Sequence, residues 1–212
     1  MTTDGDSGPT RTLLTGRLVT GGTTTHDGAV AIEDGTIAYA GPLAELPPGW
    51  SAVAPDPRVP TGATLVPGLV DSHLHGGAGG EFGVDPEAAR TAIAEHRAHG
   101  STTLIGSLVS AGASDLITAT QTLSALVASG DLAGIHLEGP FIAAARKGAH
   151  DPGALRDGDP GLVDALAEAA AAVGAPGAIR HMTFAPDSPD RRQPREPGAG
   201  RRRARARRRP HR

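Results

Sequence analysis

Between Thr12 and Ala40 the apolar residues come in short runs separated by turn residues. Leu13-Leu14, Leu18-Val19, Ala29-Val30-Ala31-Ile32 and Ile37-Ala38-Tyr39-Ala40 alternate with Thr, Gly and Asp. Such runs predict β-strands over 12–19, 29–33 and 36–40. Asp34-Gly35 joins the last two as a tight hairpin turn. Pro47, Pro48, Pro55, Pro57 and Pro60 then predict a loop-rich exit.

From Leu65 the pattern changes to strand and helix in alternation. Leu65 to His73 reads as a buried strand, with three more over Thr102 to Val109, Ala133 to Leu137 and Ile179 to Phe184. Asp85-Pro86 opens the first helix as N-cap and first helical residue, and Gly100 closes it. Ser114-Asp115 caps the second helix, which ends at Gly130. Asp159-Pro160 starts the third, which ends near Gly174. Strands joined by helices predict parallel, right-handed βαβ units, hence an α/β fold.

Charge divides the chain further. Residues 191–212 hold 11 of the 20 Lys+Arg and one acid, Glu196, a net charge of +10, and the other 190 residues carry −13. The tail after Pro186 lacks apolar periodicity, and its Arg, Pro, Ala and Gly cannot build a core, so 188–212 is expected to be disordered. Residues 1–10 are polar and are expected to be disordered too. The absence of cysteine excludes disulfides and thiolate metal ligands and fits a reducing, cytoplasmic setting. No apolar run approaches a membrane span and no secretory leader is visible, so no membrane partner is expected. Phosphate-loop, GxSxG and dinucleotide fingerprints are absent. With few aromatics, the arginine tail would meet polyanions only through their phosphates, so no specific nucleic-acid partner is expected.

Candidate chemistry sits at two strand ends. His73 and His75 are two residues apart at the end of the first, and His136 and Glu138 at the end of the third. Side chains at i and i+2 share one face of a strand, so each pair can aim at one point. Imidazole nitrogen and carboxylate oxygen suit zinc, iron or a similar divalent ion, and the first reading is a metal-dependent hydrolase. Each element has a plainer alternative. His73 and His75 could be histidines of a polar turn, Glu138 a solvated loop carboxylate, and Lys147 and His150 a solvated loop. His136, deeper in its strand, is read as supporting rather than coordinating. His96 and His99 on the first helix are read as solvated, and His181 as structural, away from the chemistry.

Taken together, PGLVDSHLHGGAG at 67–79, HLEGPF at 136–141, KGAH at 147–150 and MTFAPD at 182–187 resemble the N-acetylglucosamine-6-phosphate deacetylases of the amidohydrolase superfamily. HLEGPF followed by KGAH is the specific part. HxH alone points only to an amidohydrolase, and Gly77 stands where a dihydroorotase-like member carries Arg. The resemblance implies a (β/α)₈ barrel with a small β-domain, a divalent metal cofactor (zinc or iron), and hydrolysis of N-acetylglucosamine 6-phosphate to glucosamine 6-phosphate and acetate. It makes Glu138 a metal ligand, and His73 and His75 the ligands of a second metal position that only some members fill. It makes Ala149, through its backbone, and His150 a substrate-contacting pair.

Two further histidine ligands, a phosphate-binding arginine and the catalytic aspartate of that pattern have no counterpart here. A full barrel needs about 250 residues, whereas 65–185 supplies four strands. The expectation is a partial barrel, about four of eight strands, with residues 11–62 as the N-terminal part of the small β-domain, 63–187 as the first barrel half and 188–212 as an Arg/Pro-rich tail. Past Asp187 the sequence reads like an out-of-frame translation of GC-rich DNA, which predicts a truncated or frameshifted product of weak or no activity. Open strand edges predict a homo-oligomer or an aggregation-prone chain. The competing expectations are a non-catalytic half-barrel fragment with a polyanion-binding tail, and another amidohydrolase.

Overall fold

The computed structural model describes residues 8–186, and the chain divides into two compact units with the boundary between Leu69 and Val70. Most of the expected disorder, that of 1–7 and 188–212, falls outside the described residues.

The first unit is a meander: β1 (Arg11–Thr20), β2 (Thr23–Glu33) and β3 (Thr36–Pro42) pair antiparallel, and β4 (Thr64–Leu65) adds parallel to β1. The sheet order is β3-β2-β1-β4. Asp34-Gly35 forms the predicted hairpin turn, with φ of 49° and 76°. Two successive left-handed residues match the right-handed twist of the flanking strands. One face of β1 and β2 buries Leu13, Ala29 and Ala31 against Trp50, which is 6% exposed. The Arg11 guanidinium lies over the Trp50 ring, 5.2 Å from its centroid, and pairs with Glu33 at 2.7 Å.

The second unit is mixed α/β with a parallel sheet. It contains β5 (Leu69–Leu74), the two-residue strands β6 (Gly76–Gly77) and β7 (Gly80–Glu81), α1 (Pro86–Ala98), β8 (Ser101–Leu108), α2 (Ala113–Ala128), β9 (Gly134–Glu138), α3 (Pro160–Ala172) and β10 (Ile179–Thr183). The sheet order is β10-β9-β8-β5, and β8, β9 and β10 run parallel. Period-2 alternation sorts the strand residues. Leu104, Leu108, Ile135 and Leu137 turn to the helices and bury against Ile93, Leu116, Leu123, Leu126, Leu162 and Leu166. Ser107, His136 and Glu138 belong to the opposite parity. The Asp85 side chain accepts from Glu87 N, and that of Asp159 from Gly161 N and Leu162 N, which caps two helices as their sequences require. Asp131, after α2, accepts from Arg90 and Arg97 of α1 at 2.9 and 3.4 Å. Its carboxyl is held below the usual carboxylate range, first by the Ser129 hydroxyl and then, against the opposing effect of burial, by the two guanidinium groups.

Three local expectations are corrected. Leu65 to His73 is two strands in two sheets, because Pro67, lacking an N–H, and Gly68 interrupt it. β5 is also not buried along its length, since it is an outer strand of its sheet and Val70 is 70% exposed. Ser114-Asp115 does not cap α2: Gly112 is the N-cap, without a side-chain bond, and the Ser114 hydroxyl faces the Asp115 carboxylate. Among the described residues, no helix is long and apolar enough to cross a membrane.

Candidate metal centre

β5, β8, β9 and β10 deliver the site. His73 lies near the end of β5 and His75 just beyond it, Ser107 near the end of β8, Glu138 at the end of β9 and Thr183 at the end of β10. His73, His75 and Glu138 converge, with one ligand atom of each within 4.8 Å of the others. The Nε2 atoms of His73 and His75 are 3.0 Å apart, and Glu138 Oε2 is 2.9 Å from His75 Nε2 and 3.5 Å from His73 Nε2.

The tautomer of His75 is set by its other nitrogen. Nδ1 lies 3.1 Å from the Ser107 carbonyl oxygen. A carbonyl only accepts, so Nδ1 carries the hydrogen. In the neutral ring Nε2 is then a bare lone pair facing a carboxylate oxygen at hydrogen-bond distance. Two acceptors meet stably there only around a cation, a proton or a metal ion. The donor set, two imidazole nitrogens and one carboxylate oxygen, suits a borderline divalent ion, and the carbonyl behind His75 fixes ring orientation as metal sites commonly do.

His136 lies beneath this group and is 1% exposed. Its Nδ1 is 2.9 Å from Ser107 Oγ, and its Nε2 is 2.9 Å from Thr183 Oγ1. Burial above all, then the neighbouring His181 and His73, depress its pKa to about 4, against a smaller upward pull from Glu138. His181, expected away from the chemistry, stacks on His136 with ring centroids 4.1 Å apart. The register irregularity between Ile179 and His181 accompanies this placement. His96 is not simply solvated, since its Nε2 bonds the Gly76 carbonyl at 3.0 Å.

Beside these three side chains opens a cavity of about 600 Å³ lined by His75, Ser110, Glu138, Arg146, Lys147, Ala149, His150 and Thr183, among others. His150 Nδ1 accepts from the Ser110 backbone N–H at 3.4 Å, so its Nε2 carries the hydrogen, 3.9 Å from Glu138 Oε1. The Lys147 ammonium donates to the Gly148 and His150 carbonyls. Gly139 has φ of +88°, and a Cβ there would collide with the Ser110 hydroxyl, so glycine lets the chain turn directly after Glu138. Sequence reasoning did not single out Ser107, Ser110 and Thr183. Strand parity would have placed Ser107 and Thr183 on the face of His136 and Glu138, but small hydroxyl residues carry no signal of their own.

Two histidines and a carboxylate meeting at the strand ends of an α/β unit form a group that could hold a metal ion. Similarity to known proteins narrows this. No protein-family model matches the chain. It is 31% identical, over 66% of its own length and 36% of the relative's, to an N-acetylgalactosamine-6-phosphate deacetylase of Shewanella sp. (strain ANA-3). It is 27% identical to an N-acetylglucosamine-6-phosphate deacetylase of Bacillus subtilis (strain 168), over 80% of this chain and 43% of that one. A structure of N-acetyl-D-glucosamine-6-phosphate deacetylase from Mycobacterium smegmatis, a mutant in complex with N-acetyl-D-glucosamine-6-phosphate, matches with a TM-score of 0.74 and 39% identity. That match covers 84% of this chain and 44% of the other. The chain is thus similar to part of the N-acetylglucosamine-6-phosphate deacetylases, and it spans less than half the length of the curated relatives it matches.

Proposed function

We propose that this chain supplies the metal-holding and part of the substrate-holding surface of an amino-sugar phosphate deacetylase acting on N-acetylglucosamine 6-phosphate. The observation that carries the reading is the unshared pair of acceptors, His75 Nε2 and Glu138 Oε2, 2.9 Å apart beside a cavity of sugar-phosphate size. His73, His75 and Glu138 would hold the ion, zinc or iron by donor type. Bound there, a divalent ion acts as a Lewis acid on a carbonyl and on water.

The chain's own groups do the rest of what is proposed. His150, which lines the cavity, would offer its Nε2–H as a donor to the acetamide or a sugar oxygen, and Ala149 lines the same wall. Arg146 and Lys147 add positive charge to the same wall, complementary to a phosphate. In the net reaction the amide C–N bond breaks, water gives its oxygen to the acetyl carbon, and its protons go to the amine and the solvent. No residue of this chain is assigned the role of general base.

The fold reading is that residues 63–187 form the first half of a (β/α)₈ barrel and 11–62 part of a small β-domain. The strand–helix alternation and the gathering of ligand-type residues at strand ends support it. β5 and β10 are the outer strands of the described sheet, and Val70 is 70% and Phe184 59% exposed, which supports self-association. The cysteine-free composition supports a cytoplasmic setting.

The test is acetate release by the full chain from N-acetylglucosamine 6-phosphate, with Zn²⁺ or Fe²⁺ and after chelation. The galactosamine epimer is run in parallel, because the Shewanella relative carries that name. Metal-dependent release that Glu138→Gln lowers at least a hundredfold supports the reading. A chain that neither binds metal nor releases acetate removes it.

A further inference from the structure

We propose that His136 is a positioning residue: its buried ring, fastened at both nitrogens, holds the His73 ring so that His73 Nε2 faces the Glu138 carboxylate. The inference rests on the metal reading of His73, His75 and Glu138 and deepens it.

The three ligand-type side chains are not equally secured. Glu138 ends a buried strand, and His75 is tied through Nδ1 to the Ser107 carbonyl. His73 has a side chain 49% exposed, and among the described residues its Nδ1 makes no hydrogen bond. Two rings touch its ring edge-to-face: His75, itself a ligand-type residue, with centroids 5.0 Å apart and planes at 72°, and, closer, the buried His136, with centroids 4.6 Å apart and planes at 79°. Edge-to-face is a preferred arrangement of such rings and resists sliding.

His136 is suited to bear that contact. Ser107 Oγ occupies Nδ1 and Thr183 Oγ1 occupies Nε2, each at 2.9 Å, so neither nitrogen is left for an ion. Turning the ring would leave buried polar atoms without partners, which is costly. His181 stacks on it with planes 13° apart. Ser107 thereby serves both histidine ligands, His75 through its carbonyl and His73 by way of its hydroxyl and His136.

The experiment is calorimetric titration of Zn²⁺ into the full chain. His136→Leu should weaken uptake about tenfold, the low end for groups behind metal ligands, and Thr183→Val, which removes one of that ring's two bonds, by a smaller factor of about three. In a His73→Ala background both losses should vanish, because the ring to be held is gone. Unchanged affinity in both single variants, or losses of full size without His73, overturn the proposal. Thr183→Val with its His73→Ala pair decides alone if His136→Leu does not fold. If His73→Ala abolishes uptake, ring ¹H–¹⁵N NMR of the metal-free chain decides. His73 signals that stay sharp and unshifted in Thr183→Val overturn the proposal, and broadened or averaged ones support it. A wild-type chain that takes up no Zn²⁺ overturns the metal reading and this one with it. Uptake that depends on Glu138 but not on His136 overturns this inference alone.

Discussion

In the first sheet β1, β2 and β3 run antiparallel, so the C-terminal ends of neighbouring strands point to opposite edges. In the second, β8, β9 and β10 run parallel, and their C-terminal ends share one edge. The first sheet therefore cannot gather its strand ends at one edge, and the second must. Ser107, Glu138 and Thr183, far apart in sequence, come together through strand direction alone. The cores differ as well. The first unit rests on Leu13, Ala29, Ala31 and Trp50, where the second has a continuous apolar layer drawn from strands and three helices. One side chain should therefore matter far more in the first unit than in the second.

The strongest challenge to that contrast is Trp50→Ala. Removing the one large buried ring of the first core should cost about 3–5 kcal/mol. Hydrogen exchange should then show β1 and β2 amides losing protection while those of β8 and β9 keep it. Equal loss in both sheets would mean that the units do not differ as their cores suggest.

A smaller effect sharpens the chemical side of the contrast. His136 has a folded-state pKa of about 4, below the ordinary histidine value of 6.5. Between those values the unfolded chain binds the proton and the folded chain does not, so stability falls as pH drops from 6.5 to 4 and is unaffected above 6.5. In the metal-free chain the loss should approach roughly 3 kcal/mol. Urea unfolding across this range should show the slope in the wild type and a shallower one in His136→Phe.

The smallest effect lies on the helix side of the second sheet. Thr120 Oγ1 and Ser124 Oγ of α2 are buried with no hydrogen-bond partner among the described residues. Thr120→Val keeps the shape and removes the unpaired hydroxyl, so it should be neutral or stabilising by up to about 1 kcal/mol. A thermal midpoint lowered by several degrees would show that the hydroxyl has a partner after all.

Much of the fold was legible because its signals are local. Asp34-Gly35 specified a turn, and Asp85-Pro86 and Asp159-Pro160 specified helix starts, since each acts through atoms a few residues away. The errors came where local signals compete. Ser114 was an equally good cap by composition, but the chain enters α2 earlier, through Gly112. At the site, His73, His75 and Glu138 stood out because ligand-type residues at i and i+2 near strand ends are unusual. Ser107, Thr183 and the placement of His181 did not, because their roles depend on which strand lies beside which.

The sequence by itself determined the element order, the turn and capping chemistry, and the ligand types on offer, since these depend on residue identity and spacing along the chain. Tertiary structure decided that Leu65 and His73 belong to different sheets and that His96 turns to the Gly76 carbonyl. It also decided that His136 is buried between Ser107, Thr183, His73 and His181. The reason is physical: the candidate ligand side chains and the rings behind them meet across strands, as Ser107 and His136 do 29 residues apart and His136 and Thr183 do 47 apart, and only strand pairing and register bring those atoms within bonding distance.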